Sequence, residues 1–264
     1  MKSILKVILV SLVLSSCSNK MTKLLKNPDP EFKLRMAEQF FVKKQYSKAQ
    51  EVYEDVMPYF KTRPEFTDIY YKYAYCAYNQ GDYMNAENLF KSFLEIFPNS
   101  PKSEEVDYMR AFSFFKQSPK PELDQTSTIK AMGMMQVFIN THPGSLRNKD
   151  ANDIIDVCRK KLETKDYKSA KLYYDLNQFR AAGVAFTALL ENYPESPRGD
   201  EYKLMIIKAY YRYAQLSVEE KKVERYEDVI AECNDFTDRF PDSKLKKESD
   251  QFLQLCQTNI KNLK

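Results

Sequence analysis

The residues with the most chemical potential in this chain of 264 are five cysteines and one histidine. With His142 alone, a multi-histidine metal site is excluded, and a Ser-His-Asp relay has no local motif behind it. The spacings HExxH, GxSxG, GxGxxG, CxxC and the P-loop are all absent from the sequence. Paired carboxylates such as Glu104 with Glu105, or Glu219 with Glu220, fall on expected exposed turns, where a solvated helix face accounts for them. Cys76, Cys158, Cys233 and Cys256 lie in helical stretches with apolar neighbours and share no metal-ligand spacing. They read as buried thiols, with disulfides as the alternative if the chain is exported. No enzyme, no metal and no cofactor is expected.

Cys17 is different, because what precedes it is organised. Residues 1–16 open with Lys2 and Lys6, continue through the apolar run Val7 to Leu14 and end in Ser15 and Ser16. A charged start, an apolar core too short to span a bilayer and a small-residue end describe an export signal. Leu14-Ser15-Ser16-Cys17 resembles the bacterial lipobox, in which cleavage before the cysteine leaves a thiol and an amine that are both acylated. Several acyl chains anchor stably where one is marginal. The expectation is a signal peptide over 1–16, lipidation at Cys17, and a polar linker over 17–30, broken by Pro28 and Pro30, that tethers the rest to the membrane. Ser18 is not acidic and no acidic run follows Cys17, which in the resembling class points to the periplasmic face of the outer membrane.

What such an anchor would hold is legible from Tyr70 to Pro98. Tyr70, Tyr73, Ala74 and Ala77 share one helical face; Gly81 and Asp82 interrupt it; Tyr83, Ala86, Phe90 and Phe93 resume it. Counted on a 34-residue unit with Tyr70 at position 4, Ala74 falls at 8, Gly81 at 15, Ala86 at 20, Phe90 at 24 and Pro98 at 32, the tetratricopeptide pattern. The alanines let two helices cross closely, and the large residues beside them fill the remaining space.

The same spacing recurs. Ala37 and Ala49 mark a first unit, in which Pro58 predicts a short or kinked second helix. Ala111 and Ala131 mark a third, stretched by the eight residues QSPKPELD. Ala170 and Ala182 mark a fourth with a long first helix, and Ala209 with Val229 a fifth, carrying another eight-residue excess around Ser217 to Lys222. The endings FLEIFPNSP, FINTHPGSL, LLENYPESP and FTDRFPDSK repeat one design and place His142 at a junction equivalent to Phe97, Tyr193 and Phe240. Lys244 to Lys264 reads as an amphipathic capping helix with Phe252, Leu255 and Cys256 on one side. The expected fold is all-α: a tetratricopeptide-repeat solenoid of about five helix pairs over 31–264, in halves 31–144 and 145–264.

Such a stack offers surface. First-helix positions near 2, 5, 9 and 12 line its concave side. In the second unit these are Asp68, Tyr71, Tyr75 and Tyr78, and in the third Glu105, Tyr108, Phe112 and Phe115. Six rings flanked by Lys72 and Lys116 suit a groove for an extended peptide with aromatic side chains, although the same rings would also thicken a tightly curved core. The 41 basic and 37 acidic residues leave a net charge of only +4, so no nucleic-acid partner is expected.

With Cys17, five units and the third-unit insertion in place, the chain resembles the BamD family of lipoproteins in the outer-membrane β-barrel assembly machinery. The likeness is most specific over Asp150 to Ser196, where a long helix, Ala170 to Tyr174 and the YPES ending follow the family order. The resemblance implies a scaffold whose C-terminal half docks on the periplasmic POTRA domains of BamA. Its N-terminal half would help receive and insert unfolded barrel proteins through their aromatic-ended C-terminal strands, with other assembly-complex lipoproteins as further partners. Two other tasks fit the same fold: a periplasmic adaptor for envelope or peptidoglycan enzymes, and a carbohydrate-binding uptake lipoprotein.

Overall fold

The computed structural model describes residues 20–263, which are helical wherever they are regular. The expected signal peptide and Cys17 lie outside the described residues. In chain order the helices are α1 over residues 20–25, α2 Pro30–Val42, α3 Tyr46–Phe60, α4 Phe66–Asn79, α5 Tyr83–Ile96 and α6 Ser103–Gln117. They continue as α7 Thr126–Thr141, α8 Asn148–Asp175, α9 Phe179–Asn192, α10 Gly199–Gln215, α11 Glu219–Arg239 and α12 Lys246–Leu263. These are five tetratricopeptide pairs, α2–α3 to α10–α11, with α1 before them and α12 after.

Small residues sit where the pairs cross. Ala37 and Ala49, Ala74 and Ala86, Ala111 and Ala131, and Ala170 and Ala182 are all completely buried, as are Ala209 and Val229. Next to them Tyr53, Phe60, Phe90, Phe93, Phe138, Phe186 and Phe236 fill the core with rings. Gly183 carries the small-residue rule further, since a Cβ there would lie 2.3 Å from the Tyr210 ring.

The unit endings share one geometry. Phe97, His142, Tyr193 and Phe240 close α5, α7, α9 and α11 with φ between −125 and −130° and ψ between 55 and 62°. Each sends its N–H back to the carbonyl one turn earlier, and its own carbonyl accepts from the N–H of Ser100, Ser145, Ser196 or Ser243. The serine Oγ then accepts from the N–H two residues on, at 3.0–3.2 Å, which starts the next helix.

Turns within pairs have their own signature. Position 15 of the first, second and fourth units has positive φ: Lys44 at 57°, Gly81 at 82° and Asn177 at 59°. Glycine adopts this conformation freely and lysine does not. Lys44→Gly is therefore expected to raise stability by about 0.5–1 kcal/mol. Gly81→Ala meets no steric neighbour, so it should lower stability by about 1–2 kcal/mol through φ alone. Urea unfolding of both variants checks the pair.

Several expectations need correction. Residues 20–25 of the linker are helical and bury Leu24 against Val52, Tyr53 and Val56, because Met21, Leu24 and Leu25 form an apolar edge that the lysines had masked. Of the two outcomes expected at Pro58, a short second helix is ruled out, since α3 continues two residues past the proline. The fifth-unit excess forms no inserted loop: it lengthens α10 to 17 and α11 to 21 residues around a short turn. In α12, Leu255 is exposed, while Ser249 and Cys256 are buried and Phe252 and Leu253 pack beside them.

The chain forms two compact units, divided inside α8 between Cys158 and Arg159, with Lys120–Leu123 of the third-unit insertion belonging to the second. The division coincides with a stretch of α8, residues 159–166, that is polar except for Leu162 and contributes no fully buried side chain. In the second unit the insertion is tied to α8, where Lys165 Nζ donates to the Leu123 carbonyl at 2.7 Å and Lys168 pairs with Glu122.

Candidate peptide-binding face

In the first unit, α4 and α6 bring the expected rings into one strip. Centroid distances run 4.6 Å from Tyr71 to Tyr75, 6.3 Å from Tyr75 to Tyr78, 6.2 Å from Tyr78 to Phe112 and 5.8 Å from Phe112 to Phe115. Tyr108 stacks on Phe112 at 5.7 Å. All but Tyr108 are half-buried, so the strip has one face on the core and one outward. Tyr75 shows how it is seated: its ring packs edge-on against Phe90 at 5.3 Å, and its hydroxyl donates to Glu105 Oε1 at 2.8 Å. Burial first, then hydrogen bonding with Tyr71 and Glu105, pushes that hydroxyl far above the usual phenol range, so it remains a donor.

Among the six rings and two lysines expected at the face, this geometry corrects Tyr108 and Lys72. Tyr108 is buried at 4% exposure, because its ring is sandwiched between Phe138 and the Arg147 guanidinium. Lys72 is not a free cation: its Nζ donates to Glu38 at 2.6 Å and lies 2.9 Å from Asp68. Tyr71, Tyr75, Tyr78, Phe112 and Phe115 remain along the strip, and exposed Lys116 stands 5.1 Å over Phe112.

Sequence reasoning missed the cations that cap position 5. Lys102 lies 4.5 Å above Tyr71, Arg147 4.4 Å above Tyr108 and, in the second unit, Arg198 4.1 Å above Tyr167. Each also holds a carboxylate. Lys102 pairs with Asp68, Arg147 grips Glu105 through two hydrogen bonds of 2.7 and 2.8 Å, and Arg198 grips Glu201 at 2.8 and 2.9 Å. Burial alone would raise the Asp68 carboxyl, but hydrogen bonds from Lys102 and Lys72 outweigh it and hold it below the usual range. The signal was present: NSPK, GSLR and ESPR each place a basic residue two after the junction serine.

The second unit carries an open groove of about 610 Å³ that the sequence did not reveal, lined by Arg180, Val184, Tyr210, Tyr213, Arg225 and Asp228 among others. Arg225 stacks 4.1 Å over Tyr213 there. Cys76, Cys158, Cys233 and Cys256, the four thiols expected to be buried, are buried, and none of them is joined in a disulfide. Burial pushes the Cys76 and Cys256 thiols up to about 12 and Cys233 up to about 11, so these three supply no thiolate near neutral pH.

The family model described as YfiO, outer membrane lipoprotein, matches residues 33–195. A protein of Aquifex aeolicus provisionally named outer membrane protein assembly factor BamD is 26% identical over 222 residues, covering 82% of this chain and 71% of that protein. Outer membrane protein assembly factor BamD of Caulobacter vibrioides is 24% identical over 136 residues, which span 52% of this chain and 45% of the relative. Among solved structures, the TPR2AB domain of yeast Sti1 in its pHSP90 complex is 13% identical, with a TM-score of 0.39, covering 86% of this chain and 98% of that one.

Proposed function

Because this chain belongs to the YfiO family of outer membrane lipoproteins, we propose that it is a scaffold lipoprotein of the outer-membrane β-barrel assembly machinery. In this reading Cys17 anchors it by lipid to the periplasmic face of the outer membrane. The first unit receives the aromatic-ended strand of an unfolded barrel protein, and the second docks on the periplasmic POTRA domains of BamA, with other assembly-complex lipoproteins as further partners. The observation that carries the reading is the half-buried ring strip on α4 and α6, which lies wholly inside the family match at residues 33–195. Rings held on one face by a packed core and open on the other supply anchors for alternate side chains of an extended peptide. Paired Asp68–Lys102 and Glu105–Arg147 neutralise the flanks, so the strip selects by ring size more than by charge. For docking, the mixed-sign groove around Arg180, Arg225 and Asp228 is the surface offered by the second unit.

Co-purification from native membranes under mild detergent tests the proposal. A barrel protein with periplasmic POTRA domains is expected as the main partner, and Arg180→Glu with Arg225→Glu should reduce its recovery. Recovery of peptidoglycan enzymes or a glycan-uptake channel in its place would overturn the assignment.

A further inference from the structure

An open groove of about 480 Å³ runs along α2, bounded by α1 and the start of α3. Its floor is apolar: Phe32, Met36 and Phe40 recur one turn apart on α2 and face Met21 and Leu24. Lys20, Lys23 and Lys48 stand on its rim, and no carboxylate is among the lining residues. Phe32 is left 37% exposed, and Lys48 Nζ lies 5.7 Å from the Phe40 ring centroid.

The surrounding charge is one-sided. Residues 20–48 hold eight basic and three acidic side chains, an excess of five against a net charge of +4 for the whole chain. The three acids are also occupied: Asp29 caps α2 by accepting from the Glu31 N–H, Glu31 pairs with Arg63, and Glu38 with Lys72.

Position then selects the occupant. Lys20 is three residues from Cys17, and three residues reach at most about 11 Å in any conformation. The headgroup layer of each leaflet is itself roughly 5–8 Å deep, so with acyl chains on Cys17 the rim lysines are held at that layer. We propose that the groove between α1 and α2 seats one anionic phospholipid of the membrane in which the chain is anchored, phosphate on Lys20, Lys23 and Lys48 and the upper acyl segment on Phe32, Met36 and Phe40. This rests on lipidation at Cys17 for its location. The seat gives the repeats a fixed orientation on the membrane that a flexible tether would not.

Vesicle sedimentation of the processed chain, residues 17–264 with Cys17→Ser, reads the groove without the anchor. Binding to phosphatidylglycerol vesicles is expected, with weak binding to phosphatidylcholine and a loss on adding salt. Lys20→Gln, Lys23→Gln and Lys48→Gln together should weaken it on the order of a hundredfold, with circular dichroism and melting temperature unchanged. Phe32→Ser with Met36→Ser keeps the charge and should also weaken it, by about tenfold. No binding to phosphatidylglycerol, equal binding to both lipids, or full binding by either variant would overturn the proposal; if the Phe32→Ser, Met36→Ser variant is the one that binds fully, the patch is charge without a seat. Incorporation of radiolabelled fatty acid, and its loss in Cys17→Ala, tests the anchor separately, so failure of one reading is not mistaken for failure of the other.

Discussion

Phe93→Ala is expected to lower the unfolding free energy by about 3–5 kcal/mol and, for a chain of this length, the melting temperature by about 10 °C. Phe93 is fully buried on α5, with Phe97 at 5.1 Å, Tyr71 at 6.2 Å and Tyr70 at 6.3 Å from its ring centroid. Removing it takes away a whole ring and leaves a cavity that stacked helices cannot close without moving Tyr71, over whose ring Lys102 stands. The complementary variant tests the opposite failure. Ala74→Leu adds bulk at the fully buried crossing of α4 with α5, inside the cluster that also holds Ala86, Phe90 and Phe93, and should cost about 1–3 kcal/mol. Thermal unfolding followed by circular dichroism checks both. A shift of under about 2 °C for Phe93→Ala would place the ring outside the load of the core.

The difference between these two variants marks what was legible in the sequence. Spacing of alanines and large apolar residues is a local property of helices, so each unit, each crossing and the common ending at Phe97, His142, Tyr193 and Phe240 can be found by counting. What counting misses is set by contacts between units of the repeat. Tyr108 and Phe112 look equivalent along α6, yet Arg147, 39 residues after Tyr108, buries one and leaves the other half open. Lys72 looks like a surface cation until Glu38 of the preceding pair is placed beside it. Residues 20–25 failed for a third reason: a short amphipathic turn among lysines has too few residues for a period to show, and only burial of Leu24 reveals it. The fifth-unit excess shows in the spacing, but periodicity cannot tell longer helices from a longer loop when no proline intervenes. In the third unit Pro119 and Pro121 made that distinction.

Tyr75→Ala combined with Phe112→Ala is expected to weaken binding of a decapeptide ending in phenylalanine by about a hundredfold, since two ring anchors of this kind contribute roughly 1–2 kcal/mol each. The stability effects of the two residues should separate. Tyr75 packs on buried Phe90 and donates to Glu105, which Arg147 also holds, so its removal should cost about 2 kcal/mol of folding free energy. Phe112 stacks between Tyr108 and Phe115 and is half-buried, so its removal should cost about 1 kcal/mol. Fluorescence anisotropy with a labelled peptide reads the first effect and urea unfolding the second. Tyr75→Phe is the control that divides them: it removes the hydroxyl from Glu105 and keeps the ring. Peptide affinity should then hold within about twofold, because a lost hydrogen bond behind the strip is worth about 1 kcal/mol to folding and little to a ligand in front of it. If Tyr75→Phe loses affinity as the alanine variant does, the hydroxyl and not the ring meets the peptide. If the double variant binds normally while its melting temperature falls, the rings on α4 and α6 are core alone and the receiving surface lies elsewhere in the chain.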